Sequence, residues 1–176
     1  DRSYTGPSGA ANGSYYVYAE TSTPNYPGAV FTMYKYFGGS IDEVSFSYHM
    51  YDAYYDYSYY AGMGTLLLQA STSDNDDDIT FDTLWSKTGN QGDAWGSATV
   101  DFSTGGYKWL RFYYTGGNFY TGDLALDNIE VSLGAPTAAP TLTSMPTTSS
   151  APTVAVPFPT SLPIPTPTAL PTPVPT

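Results

Sequence analysis

As far as Leu133, the apolar positions of this chain fall in short runs rich in Tyr, Phe, Val and Leu, separated by Gly, Pro, Asn and Asp. That spacing predicts an all-β sandwich, and no sustained helical period competes with it. Eight strands are predicted: Ser14–Glu20, Val30–Phe37, Glu43–Tyr51, Thr65–Ala70, Phe81–Ser86, Ser97–Phe102, Trp109–Thr115 and Leu124–Val131. In the third, Val44, Phe46, Tyr48 and Met50 alternate with Ser45, Ser47, His49 and Tyr51, so one face is apolar and the other mixed. In the last, Leu124, Leu126 and Asn128 share a face, opposite Ala125, Asp127 and Ile129. Apolar residues on both faces suit a central strand.

Beyond Leu133 the alternation stops. Residues 134–176 are almost wholly Pro, Thr, Ser, Ala and aliphatics, and every charged side chain precedes them. A segment of this kind lacks the apolar volume to offset the entropy of ordering unless something else packs on it. The chain therefore reads as a sandwich over 1–133 and an extended Pro/Thr/Ser-rich connector or stalk over 134–176. From Pro157 the prolines occupy alternate positions in clusters, first Pro157 and Pro159, then Pro163, Pro165 and Pro167, then Pro171, Pro173 and Pro175. In an extended strand alternate residues direct their backbone groups to opposite edges, so each cluster removes donors from one edge only. Phe158, Ile164, Thr166, Thr172 and Val174 keep their N–H groups on the other. The tail is thus compatible with docking as an outer strand, with Phe158, Ile164 and Val174 as its apolar contacts, and incompatible with a sheet interior. The alternative is a solvated polyproline-II stalk coated with glycans.

The Thr/Ser/Pro mixture suits an O-glycosylated extracellular stalk, with Thr137, Thr141, Thr147, Thr153, Thr160, Thr166, Thr168 and Thr172 as expected attachment points. Asn12-Gly13-Ser14 is an N-glycosylation acceptor triplet. Both point to a secreted or cell-surface location, whereas the absence of Cys fits either redox compartment. The 176 residues carry a formal net charge of -11 and a pI of about 4.1. Five Lys and Arg residues without a basic cluster cannot neutralise a phosphate backbone, which excludes nucleic acid and disfavours anionic lipid. No run approaches the roughly 20 apolar residues of a membrane span, so no membrane insertion is expected. Nor does any segment read as a secretory leader, so Asp1 is expected to begin a mature or trimmed chain.

Four runs carry a resemblance: Tyr48-His49-Met50-Tyr51, Gly62-Met63-Gly64-Thr65-Leu66, Leu84 to Gly92 followed by Trp95, and Gly122-Asp123-Leu124-Ala125-Leu126-Asp127-Asn128-Ile129. Their order and spacing over nearly all of Tyr4 to Ser132 resemble the MAM domain family. What the resemblance implies is an extracellular jelly-roll β-sandwich used in adhesion and assembly, with no enzymatic activity. It also implies a structural Ca²⁺ in some members, held by acidic residues of a leading strand, of the turn before the first matching strand and of the final Leu-Asp-Asn motif. Asp127 matches the last and Asn12 the second, while the leading strand is missing here, as are the family's frequent disulfides. Asp127 is expected either to ligate the cation or to accept backbone hydrogen bonds, and a glycan on Asn12 would exclude it as a ligand. Two stretches, Asp52 to Ala61 and Asp74 to Asp78, expand the connections of the family pattern.

Residue types alone suggest no catalytic constellation. His49, Ser47 and Asp42 or Asp52 could be drawn as a triad, but sequence proximity supplies neither an oriented base nor an oxyanion site. A packed, hydrogen-bonded sheet histidine is the reading adopted. Asp74, Asp76, Asp77 and Asp78 read as a solvated loop and not an EF-hand, because Ile79 stands where the loop glycine belongs. Trp85, Trp95 and Trp109 are assigned to packing. Tyr54, Tyr55, Tyr57, Tyr59 and Tyr60 are assigned to an exposed contact surface for a neighbouring protein or glycan, large in area and low in ordering cost. The expected function is a non-enzymatic adhesion or assembly module whose tail docks head-to-tail on other copies to build a fibre. The alternative is a carbohydrate-binding module on a glycosylated linker, and a carboxylate hydrolase ranks third.

Overall fold

The structure is a computed structural model and describes residues 5–54, 62–74, 76 and 79–135. Among the described residues eight strands form: β1 (Val17–Ala19), β2 (Val30–Tyr36), β3 (Ile41–Met50), β4 (Thr65–Ser71), β5 (Asp82–Thr88), β6 (Gly96–Asp101), β7 (Trp109–Thr115) and β8 (Leu124–Leu133). They make two four-stranded sheets in the orders β1-β8-β3-β6 and β2-β7-β4-β5, and every pairing is antiparallel. The result is a jelly-roll sandwich, with each predicted strand present and the first shortened to Val17–Ala19. β8 and β3 are central, as the apolar residues on both faces of β8 required.

The inner faces supply Ile41, Val44, Phe46, Tyr48 and Met50 from β3, Leu66, Leu68 and Ala70 from β4, and Leu110, Phe112 and Tyr114 from β7, all buried. Phe46 meets Phe112 across the sheets edge-to-face at 4.9 Å and Trp85 at 5.1 Å. Each such aromatic pair adds on the order of 1 kcal/mol beyond the area it buries. In a chain without cysteines, contacts of this kind hold the two layers together.

Three β-bulges adjust which side chains face inward. In β8, Ser47 opposes Asp127 and Ser45 opposes Glu130, so Asn128 and Ile129 share the space opposite Phe46. Asn128 takes a φ of 49°, the left-handed region that Asn tolerates better than most residues. Simple alternation puts Asn128 on the face of Leu124 and Leu126. The extra residue resets the parity instead, leaving Asn128 exposed and packing Ile129 and Val131 against the core. A second bulge at Asp42 lets Ile41 and Val44 both be buried, and a third at Leu84 turns both Leu84 and Trp85 towards the core.

At one end of the sandwich the connections cross at glycines. A Cβ on Gly64 would lie 1.7 Å from the Thr115 carbonyl oxygen, and one on Gly122 would lie 1.9 Å from that of Gly62, so only glycine fits either place. The buried Tyr114 hydroxyl accepts from the Gly64 N–H at 3.0 Å and donates to the Gly122 carbonyl at 2.6 Å. Asp52, fully buried, accepts from the N–H groups of Gly62 and Tyr54, both at 2.8 Å. Asp123 receives the Thr21 N–H at 2.8 Å and the hydroxyls of Thr21 and Thr5. Burial pushes the Tyr114 phenol well above its usual pKa, so it stays a neutral donor. Replacing Tyr114 with Phe leaves the Gly64 and Gly122 backbone groups unpartnered, and denaturant titration is expected to show a loss of about 1–3 kcal/mol with an unchanged fold.

Candidate interaction surface

The bulge that exposes Asn128 also brings together the two residues singled out for a cation. The Asn12 N–H donates to Asp127 Oδ2 at 2.9 Å, its side-chain amide donates to Asn128 Oδ1 at 3.1 Å, and the Asn128 N–H donates to Asp127 Oδ1 at 2.7 Å. Asp127 therefore accepts backbone hydrogen bonds on both oxygens, chief among them the one from Asn12, and these hold its carboxyl below the usual range. Ca²⁺ takes six to eight oxygens, and among the described residues no three acidic, His or Cys side chains gather in one place. As placed, the pair is a hydrogen-bonded bracket that pins the Asn12 turn to β8. Asn12 itself is exposed.

His49 is buried in β3 at 1% exposure, with Nε2 3.2 Å from Asp93 Oδ1 and its ring edge-on to Trp95 at 5.6 Å. Its carboxylate partner is Asp93 and not Asp42 or Asp52, because Asp52 is committed to the Gly62 crossing. Burial pushes the imidazole below its usual pKa against the opposing pull of Asp93. This is the packed, hydrogen-bonded histidine that the sequence suggested.

The three tryptophans are half-buried. Trp85 packs on Phe46 and Tyr48, Trp95 donates to the Gly9 carbonyl at 2.9 Å, and Trp109 donates to the Ser73 carbonyl at 3.1 Å. Asp74 is exposed and paired with Lys108. Of the tyrosines assigned to a contact surface, Tyr54 is 36% exposed beside the Asp52 anchor. Tyr55, Tyr57, Tyr59 and Tyr60 lie outside the described residues, as do the tail positions Phe158, Ile164 and Val174 and all eight expected O-glycosylation threonines.

A second exposed aromatic and apolar region went unrecognised in the sequence. Tyr15 (88% exposed), Val17, Tyr18, Val30, Met33 and Tyr34 all sit on or beside β1 and β2, the outer strands on one flank of the sandwich. In register, Met33 stands opposite Phe112 and Lys35 opposite Leu110, so both belong to the inward parity of their sheet. They are nonetheless exposed, because the opposite sheet does not reach over them. The signal available was the composition of β2, where Met33 and Lys35 break an inward row that Phe31 begins and Phe37 ends.

An antiparallel jelly roll of two four-stranded sheets, with polar side chains braced on backbone groups and one apolar flank open, defines the class of two-layer β-sandwich domains. The chain belongs to the MAM domain family (meprin/A5/mu), whose profile matches residues 2–135. It is 32% identical over 139 residues to the MAM domain-containing glycosylphosphatidylinositol anchor protein 1 of Rattus norvegicus and to that of Mus musculus. The match covers 74% of this chain and 13% of each relative, so the chain spans only a small part of their length. Among solved structures, the K2 cleaved adhesin domain of Lys-gingipain superposes with a TM-score of 0.50 at 18% identity, covering 70% of this chain and 75% of that one. That likeness bears on the fold alone.

The bracket has a pH signature. A carboxyl whose folded pKa lies below its unfolded one stabilises the fold above the ordinary value, and this contribution is lost as pH falls through the depressed one. Asp127→Asn is therefore expected to melt below the wild type at neutral pH, with the gap closing below about pH 4. A gap in melting temperature that stays constant from pH 7 to pH 2.5 would contradict the role given to this carboxylate.

Proposed function

We propose that the chain is an extracellular, non-enzymatic adhesion and assembly module, a repeating subunit of a glycosylated surface fibre in which the tail docks on a neighbouring copy. The observation that carries this reading is the exposed flank of β1 and β2. Val17, Tyr18 and Met33 stand exposed there at the open edge between the two sheets, and the sequence continues beyond Leu133 into a long uncharged segment. Exposed apolar patches of this kind mark association surfaces. The titratable side chains support the non-enzymatic part. Asp52, Asp123 and Asp127 are each spent on backbone or hydroxyl donors, and His49 is buried against Asp93.

Attachment of glycans at Asn12 and at the tail threonines, and a second contact surface at Tyr54, Tyr55, Tyr57, Tyr59 and Tyr60, belong to the same proposal. One feature favours a carbohydrate-binding reading instead. Tyr34 (64% exposed) and Tyr36 pack beside Trp109 on the outer face of the β2-β7 pair, at 6.4 and 4.9 Å between ring centres. Aromatic rings on a sheet face are a surface on which a sugar can stack. Binding on a glycan array by a chain that remains monomeric would select that reading.

Removing residues 136–176 is expected to convert the assembling species to monomers in sedimentation velocity, and an unchanged size distribution would reject the fibre. Changing the five loop tyrosines to Ser together is expected to weaken assembly or glycan capture about tenfold while the melting temperature stays within a few degrees. Binding and assembly indistinguishable from wild type would remove the loop from the proposal.

A further inference from the structure

The sandwich is open along one flank. β1 is the outer strand of its sheet but pairs only with Leu124–Leu126, so from Asp127 to Leu133 β8 has no strand on that edge among the described residues. Across the gap runs β2, the outer strand of the other sheet. Between them lie two clefts of about 490 and 260 Å³ that share Met33 and Phe112 and so form one seam. The larger is floored by Phe37, Leu110, Ile129 and Val131, the smaller by Phe31 and Leu126 among others. Its one described cation is Lys35, which sits 5.4 Å from the centre of the Phe37 ring. A free backbone edge above an apolar floor is the arrangement that accepts an added strand.

We propose that this seam receives the segment Pro157–Pro175 of another copy of the chain, added alongside β8. The inference rests on the assembly reading above and names the receiving site. Three features of the segment fit. It carries no charge that the apolar floor would have to desolvate. Its alternating prolines leave one hydrogen-bonding edge, and the seam offers one edge of β8 to pair with, so the edge without donors can face away. In an extended strand, residues that share an edge also share a face. The N–H groups that can pair with β8 therefore belong to the residues whose side chains, Phe158, Ile164 and Val174, would point together into the seam.

Length allows a neighbour to be the receiver. The stretch from Ala135 to Phe158 spans on the order of 70 Å when extended. That is more than twice the roughly 30 Å diameter of a small domain.

The test uses the full chain. A photo-reactive residue replaces Ile164 in one isotopically heavy population, which is mixed with a light population and irradiated. Cross-links are mapped by mass spectrometry. Cross-links from heavy Ile164 to light 31–37 or 129–133 are expected. In parallel, Met33→Asp, at a position already 40% exposed, is expected to weaken self-association about tenfold with secondary structure retained. Inter-copy cross-links that fall elsewhere, with Met33→Asp assembling normally, would overturn the seam while sparing the tail's part in assembly. Cross-links confined to one isotopic copy would overturn docking between copies. Assembly that survives removal of 136–176 would overturn the underlying reading itself.

Discussion

The crossing of glycine connections beneath the Tyr114 hydroxyl is the constraint on which the rest of the sandwich depends. Gly62 and Gly64 run so close to Thr115, Thr121 and Gly122 that backbone meets backbone with no room for a side chain. Close approach buries carbonyl and N–H groups away from water, and each then needs a partner. Tyr114 and Asp52 supply them, and Asp123 extends the network to Thr21 and Thr5. One hydroxyl and two carboxylates thereby fix how the entrances of β4 and β8 meet the end of β7. The motifs Gly62-Met63-Gly64-Thr65 and Gly122-Asp123-Leu124 are the sequence trace of that geometry.

Much of the fold was legible because the strands are short, alternating and bounded by turn residues. All eight appeared, and β3 alternated as read from Val44 to Met50. What alternation could not show were the bulges. A strict period of two assigns Asn128 to the face of Leu124, and only the left-handed backbone at Asn128 returns Ile129 and Val131 to the core. Alternation alone does not distinguish a strand of ten regular residues from one with a parity change in the middle. The apolar residues at both parities, read as the mark of a central strand, also record that change.

The site was legible in a different way. Asn12 and Asp127 were picked out together by resemblance, and the structure does bring them together, but as hydrogen-bond donor and acceptor. His49 was read correctly as a packed residue, while its partner Asp93 lies far along the chain and could be found only through the β3-β6 pairing that carries the two segments side by side. The open flank was not foreseen. Exposure of Met33 depends on the shortness of β1 in the opposite sheet, a fact about a distant segment that β2 does not encode.

The direction in which the polypeptide leaves the head has a mechanical meaning. Thr5 is tied to Asp123 at the start of β8, whereas the chain departs past Leu133 at its far end, where Gly134 is held by the Ser40 carbonyl at 2.9 Å. Load entering at Thr5 passes through its hydroxyl tie to Asp123 before it reaches β8, both of whose ends are then anchored. Stretching is therefore borne first by that one side-chain contact and by the backbone of β8 itself, which its ladder with β3 braces from the side.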